Sequence, residues 1–218
     1  MSDKKSGFGS MAKLGLILAL YSAVAGVGLA FVYNGTATVI AQRQQEDLDH
    51  ALRELFHEAD SFRPITDISM PPPRDGEPAV TIEGDPSNLD NPGAFAAIKD
   101  GQIIGVALRT SRYSYSGPIV ILVGVGTDNR IKGVTILENI DTPGLGSNAG
   151  SKSFFVDRAN GITFFGQFTG KNVSDPFIPK QDVDIITAST ITSRAVASSV
   201  KAAGDAALAW LAINGGSR

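Results

Sequence analysis

The 218-residue sequence predicts an α+β fold, in which one amino-terminal transmembrane helix and an amphipathic connector lead to a mainly antiparallel sheet packed with helices. Three observations carry that reading. A run of 20 residues near the amino terminus has no charge, apolar stretches broken by turn signals fill residues 94–139, and apolar residues recur at helical spacing from Thr192 onward.

The charge-free run is Leu14 to Tyr33, LGLILALYSAVAGVGLAFVY, long enough as one helix to span a hydrocarbon core about 30 Å thick. Lys4, Lys5 and Lys13 precede it, whereas Arg43 is soon followed by Glu46, Asp47 and Asp49. That asymmetry puts residues 1–13 in the cytoplasm and the chain beyond the helix, drawn at 14–35, in the periplasm or on the outer face. A cleaved signal peptide competes, but the run exceeds a usual apolar region of about 7–15 residues. Ser22, Gly26 and Ala30 recur every fourth residue, a stripe that would let another helix approach closely; small residues are also simply common in such helices. Residues 36–63 read as the connector helix, with Leu48, Ala51, Leu52, Leu55, Phe56 and Ala59 on one face. His50 and His57 are seven apart, off the spacing of a metal pair on one helix. No metal site is expected.

Pro71, Pro72 and Pro73 cannot continue a helix, and residues 64–93 read as an irregular, proline-rich connection. The carboxy-terminal domain spans 94–218. Asp100 and Gly101 form one hairpin tip and Asp128, Asn129 and Arg130 another turn, which makes about four strands. Unbroken apolarity from Ile119 to Val125 marks a central strand covered on both faces. The aromatic-rich stretch 151–170 reads as a short helix followed by another strand. Val196, Val200, Ala203, Ala207 and Leu211 then define the last helix, stopped by Gly215 and Gly216.

The formal charge of −3 offers no basic footprint, and no P-loop or zinc-finger pattern is present, so no nucleic-acid partner is expected. Cysteine is absent, which excludes disulfides, thiolate-held clusters and cysteine nucleophiles. Redox chemistry would need an organic cofactor or a neighbouring protein.

The chemistry-bearing stretch is DIITASTITSRAV, residues 184–196, which crowds Thr187, Ser189, Thr190 and Thr192 at a helix start. A single cap, Ser189 or Thr190, would account for one hydroxyl. A nucleophile would need an adjacent base, and the only histidines lie far off on the connector, so no catalytic residue is assigned. A helix start does favour a phosphate, through its free N–H groups and dipole.

These residues resemble the flavinylation motif of the FMN-binding domain family: an acidic residue, two positions, then Ser or Thr, Gly, Ala, Thr. A second segment, ENIDTPGLG at 138–146, is similar to the ETPGLG-type segment that lines the flavin in that family. Together with the amino-terminal anchor, the chain looks like the G subunits of Rnf ion-translocating electron-transport complexes, related to the C subunits of sodium-translocating NADH:quinone reductases. The resemblance implies FMN joined by a phosphoester to Thr190 through a dedicated flavin transferase. Asp184 aligns with the acidic residue and Thr187 with the first hydroxyl. Ala188 stands where glycine is usual and Ser189 where alanine is usual. Asp141 replaces the commoner glutamate, beside Thr142, Pro143, Gly144, Leu145 and Gly146, and the phosphate is expected at the helix start near Thr192. The implied role is electron relay within a complex linking ferredoxin and NAD to ion movement, with other membrane subunits as partners. A C-type quinone-reductase subunit, a standalone outer-face flavin reductase and a non-catalytic envelope interaction protein stay open as alternatives.

Overall fold

The computed structural model of the chain describes residues 4–74, 76–84 and 91–215. Residues 1–3 of the expected cytoplasmic terminus, positions 75 and 85–90 of the proline-rich connection, and Gly216 lie outside the described residues. Two compact units divide the chain, residues 1–47 and 48–218.

The first unit is helical throughout its described residues. Helix α1 runs Lys4–Leu55 and joins the expected membrane and connector segments without a break. Along the apolar run the side chains of Leu14, Leu18, Val24 and Phe31 are 65–82% exposed, a surface apolar all round that suits lipid or neighbouring helices. Two helices among the described residues are long and apolar enough to cross a membrane, α1 from Ser10 and α2 (Thr190–Asn214). Half of α2 is buried within the second unit, so it is a core helix.

The second unit begins at Leu48 and is built on a six-stranded antiparallel sheet. Its strands are β1 (Ser61–Pro64), β2 (Thr81–Ile82), β3 (Ala94–Lys99), β4 (Gln102–Tyr113), β5 (Pro118–Gly126) and β6 (Ile131–Asn139), in the order β1-β3-β4-β5-β6 with β2 beside β4. The expected strands are β3 to β6, and both expected turns are present. Asp100 and Gly101 have φ of 51° and 75°, the two left-handed positions of a type I′ hairpin, while Asn129 turns the β5–β6 connection at φ 61°.

Two expectations are corrected. The connector helix ends at Leu55 instead of running to residue 63; Ser61–Pro64 is extended and pairs with β3 from Ser61↔Ile98 to Pro64↔Phe95, which excludes helix there. Residues 151–170 are not a helix then a strand. They form a small hairpin, β7 (Phe155–Asp157) with β8 (Ile162–Thr163), followed by a 3-10 turn at Gly166–Phe168. Aromatic burial decides this: Phe164 and Phe168 meet edge to face at 5.8 Å, Phe168 stacks on Phe177, and all three are buried.

The sheet is covered on both faces, as the apolarity of β5 implies. Ile119, Ile121, Val123 and Val125 point to one core with Val196, Val200, Ala203 and Ala207 of α2. Leu122 points to the other, with Leu48, Ala51, Leu52 and Leu55 from the end of α1 and Phe56 just after it. Fully burying a leucine such as Leu52 contributes about 1.5–3 kcal/mol. Gly105, Gly124 and Gly133 lie on β4, β5 and β6 beneath that segment, and a Cβ on any of them would collide with or crowd Leu55 or Phe56.

Candidate functional site

The start of α2, the β4–β5 turn and the loop after β6 converge on a cleft of about 560 Å³, lined by Tyr115, Asp141, Thr142, Leu145, Gly146 and residues 188–192. Each wall follows from local sequence. Ser114 donates its N–H to Gly117 O at 2.7 Å, which closes the β4–β5 turn and leaves Tyr115 at its tip, 68% exposed. The Leu145 N–H bonds to Thr142 O at 3.1 Å, with Pro143 and then Gly144 at φ 77° between them. That is the proline-then-glycine order a type II turn requires, and it places Thr142 and Leu145 on the cleft while Pro143 and Gly144 are exposed away from its lining.

The third wall is a turn feeding a helix. Ser189 N–H bonds to Ile186 O at 3.0 Å, and Ser193 N–H to Ser189 O at 3.0 Å. Helical geometry then leaves the N–H groups of Thr190, Ile191 and Thr192 without acceptors inside the helix. Ala188, third in the turn, has φ 60°, so the glycine usual at this motif position answers a backbone demand. The helix starts at Thr190, two residues earlier than its apolar pattern suggests, with Ser189 as cap residue but no side-chain cap bond.

The hydroxyls divide by environment. Thr192 is 1% exposed and donates to Asp141 Oδ2 at 2.6 Å. Ser193 is fully buried; its Oγ donates to Ser189 O at 2.9 Å and accepts from Ile186 N–H at 3.0 Å, so it staples the turn. Ser189 is 7% exposed. Thr187 is exposed but outside the cleft lining. Of the hydroxyls at 187–193, Thr190 alone lines the cleft, is half-buried rather than buried, and has no hydrogen bond on its hydroxyl; the exposed Thr142 hydroxyl faces the same cleft from the loop after β6. Asp184 is exposed, and Gln167 clamps its backbone at 2.7 Å and 3.2 Å; its carboxylate is not part of the cleft wall.

Asp141 ties the three walls together. Its Oδ2 accepts from Ser114 Oγ at 2.6 Å as well as from Thr192, and its Oδ1 accepts from the Ser116 amide at 2.7 Å. Burial alone would raise its pKa, but the hydroxyls of Ser114 and Thr192 and the amides of Ser116 and Tyr115 stabilise the ion and hold it below the ordinary carboxylate value. A Cβ on Gly146 would lie 2.6 Å from both Asp141 Oδ2 and Thr192 Oγ1, so glycine is needed for the loop to close over this knot. The sequence pattern passed over Tyr115, Ile191 and Ser114. For the first and last a signal existed, the polar and aromatic run YSYSG at 113–117 between two strands.

Comparison with known proteins gives two family matches: residues 114–205 match the FMN-binding domain and residues 1–55 the RnfG N-terminal region. The chain is similar to the G subunit of the Na(+)-translocating ferredoxin:NAD(+) oxidoreductase complex of Acetobacterium woodii, at 30% identity over 86% of this chain and 87% of that one. It is also similar to the G subunit of the ion-translocating oxidoreductase complex of Methanosarcina acetivorans, at 28% over 94% and 96%. The G subunit of the proton-translocating ferredoxin:NAD(+) oxidoreductase complex of Clostridium ljungdahlii matches at 27% over 83% and 82%. Relatives of near-equal similarity are thus named for different ions.

Proposed function

Since this chain belongs to the family of G subunits of ion-translocating oxidoreductase complexes and carries an FMN-binding domain, we propose that Thr190 holds FMN covalently, through a phosphoester, on the outer face of the membrane. The chain is a redox subunit of such a translocase, with the other subunits of the complex as partners. We propose further that it relays electrons between ferredoxin- and NAD-linked steps, that a flavin transferase loads it, and that α1 crosses the membrane once with its amino terminus inside.

The observation that carries the attachment site is the sorting of hydroxyls. Within the motif, Thr192 is buried and engaged by Asp141, Ser189 is buried, and Thr187 is off the cleft, so Thr190 is the motif hydroxyl open to modification; Thr142 also lines the cleft but lies on the loop after β6, not at the helix start where a phosphate is favoured. The cleft also fits the group. Three free N–H groups at the start of α2 suit a phosphate, and Tyr115, Leu145 and Ile191, each more than 40% exposed, offer apolar surface to a flat ring. When bound, FMN supplies the electron exchange, and the chain supplies attachment and orientation.

Charge favours a covalent bond. Among the described residues, Asp141 is the one charged side chain in the cleft lining, and no lysine or arginine joins it. A free phosphomonoester carries about −1.5 to −2 at neutral pH, which helix N–H groups alone hold weakly beside a carboxylate. Esterification lowers that charge and makes retention independent of affinity.

Intact mass of the denatured protein from its own host, wild type beside Thr190→Val, tests this. The expected wild-type mass exceeds the chain by FMN less one water, and the increment is absent in the variant. An unmodified wild type from cells that contain the transferase would sink the attachment.

A further inference from the structure

We propose that Asp141 sets the reduction potential of the flavin in this cleft and holds it low, by standing in the wall as a carboxylate that no cation neutralises. The proposal rests on the assignment of FMN to Thr190.

Asp141 lines the cleft and is 4% exposed. Its contacts are all uncharged donors: the Ser114 and Thr192 hydroxyls on Oδ2 and the Ser116 amide on Oδ1. These dipoles keep the group ionised without cancelling its net charge. The arginines of the neighbouring strand are committed elsewhere, Arg112 to Glu77 at 3.2 Å and Arg109 to Asn91 at 2.9 Å, and among the described residues no cation forms an ion pair with Asp141. A charge removed from water is screened far less than one on the surface.

With FMN bound, an electron accepted from a low-potential donor would add negative charge to the ring. A fixed carboxylate in the same cleft would oppose that charge, so electron uptake would be disfavoured and the couple would move negative. Asp141 also bonds Thr192 within the first turn of α2, and so holds the attachment residue's helix at a set place relative to its own charge. The carboxylate thereby positions the carrier and biases it.

The test is an anaerobic spectroelectrochemical titration of the full chain with its flavin attached, comparing wild type, Asp141→Asn and Asp141→Glu. At a fixed potential, Asp141→Asn is expected to favour the reduced form about tenfold or more, which for a one-electron couple is about 59 mV to the positive side. Asp141→Glu keeps the charge and should stay near wild type, which separates charge from a lost hydrogen-bond bracket. A flavinylated Asp141→Asn with an unchanged thermal midpoint and an unmoved potential overturns the proposal. Should Asp141→Asn fail to accumulate, Asp141→Ser decides, because it removes the charge and keeps a short polar group among the same donors. A positive shift then supports the proposal, and no shift overturns it. Wild type that lacks covalent flavin by mass is a separate failure, of the Thr190 assignment, and removes this proposal with it.

Discussion

Ala188 occupies the third position of the Ile186–Ser189 turn at φ 60°, where a residue with a Cβ is strained by about 1–2 kcal/mol. Its side chain is exposed, so its removal loses no packing. Ala188→Gly should gain about 0.5–1 kcal/mol after allowance for the added entropy of the unfolded chain, read as a higher urea midpoint with the same slope; a lower midpoint would show that the turn carries no strain. Family resemblance marks 188 as a glycine position, but composition cannot say why, since alanine differs from glycine by one methyl. The reason is a dihedral angle. Asp141 was legible as part of a flavin-lining segment, yet its three bonds reach residues 25, 27 and 51 positions away, and no local pattern reveals such partners. Its folded-state pKa lies below the ordinary value near 3.9, so its contribution to stability is present above about pH 4 and is lost as pH falls through the lower folded-state value. Asp141→Asn should therefore flatten the decline in denaturation midpoint below pH 4, and a variant as acid-sensitive as wild type would remove Asp141 as a cause.

The end of α1 behaves as a core element of the second unit. Its apolar stripe was readable from spacing, and so was the two-faced burial of β5, because both are periodic. What the stripe packs against was not readable, because it depends on strand register: Gly124 of β5 pairs with Ala107 of β4 and Gly133 of β6, and Gly105 lies two residues before Ala107. The resulting smooth patch admits Leu55 and Phe56. Gly105→Ala would put a Cβ against the Phe56 ring and 2.6 Å from Val125 O, and backbone cannot yield as a side chain can. A loss of about 1–3 kcal/mol is expected from that overpacking, while Leu52→Ala should lose about 2–5 kcal/mol by leaving a cavity. Thermal unfolding of both variants checks this, and midpoints equal to wild type would mean that the helix end is not part of the cooperative core. The short strands β1 and β2 escaped the pattern because strands of four and two residues carry too little alternation to register.

At the scale of the whole chain, function depends on which side of the membrane the cleft faces, and the sequence is unusually suited to a direct answer. Lys4, Lys5 and Lys13 stand before the apolar run, and acidic residues gather soon after Arg43, and by the positive-inside rule this asymmetry supports the proposal that the amino terminus stays in the cytoplasm and the domain lies across the membrane. An outer-face location also gives covalent attachment a physical advantage, since a dissociable cofactor is diluted there and an esterified one is not. Cysteine is absent from the chain, so a single introduced thiol reports its own position with no background. Ser6→Cys and Lys152→Cys sample the two sides of the proposed span; Lys152 has a side chain 78% exposed, and its contact with Glu54 at 3.6 Å is a surface pair of little energetic weight. With a membrane-impermeant maleimide on cells whose outer barrier is opened, Lys152→Cys should label at once and Ser6→Cys only after the inner membrane is permeabilised. The reverse pattern would put the cleft in the cytoplasm, where free FMN is available and retention no longer favours an ester. Labelling of both thiols without permeabilisation would mean that α1 does not cross, and the exposed apolar surface from Leu14 to Tyr33 would then need another protein to cover it.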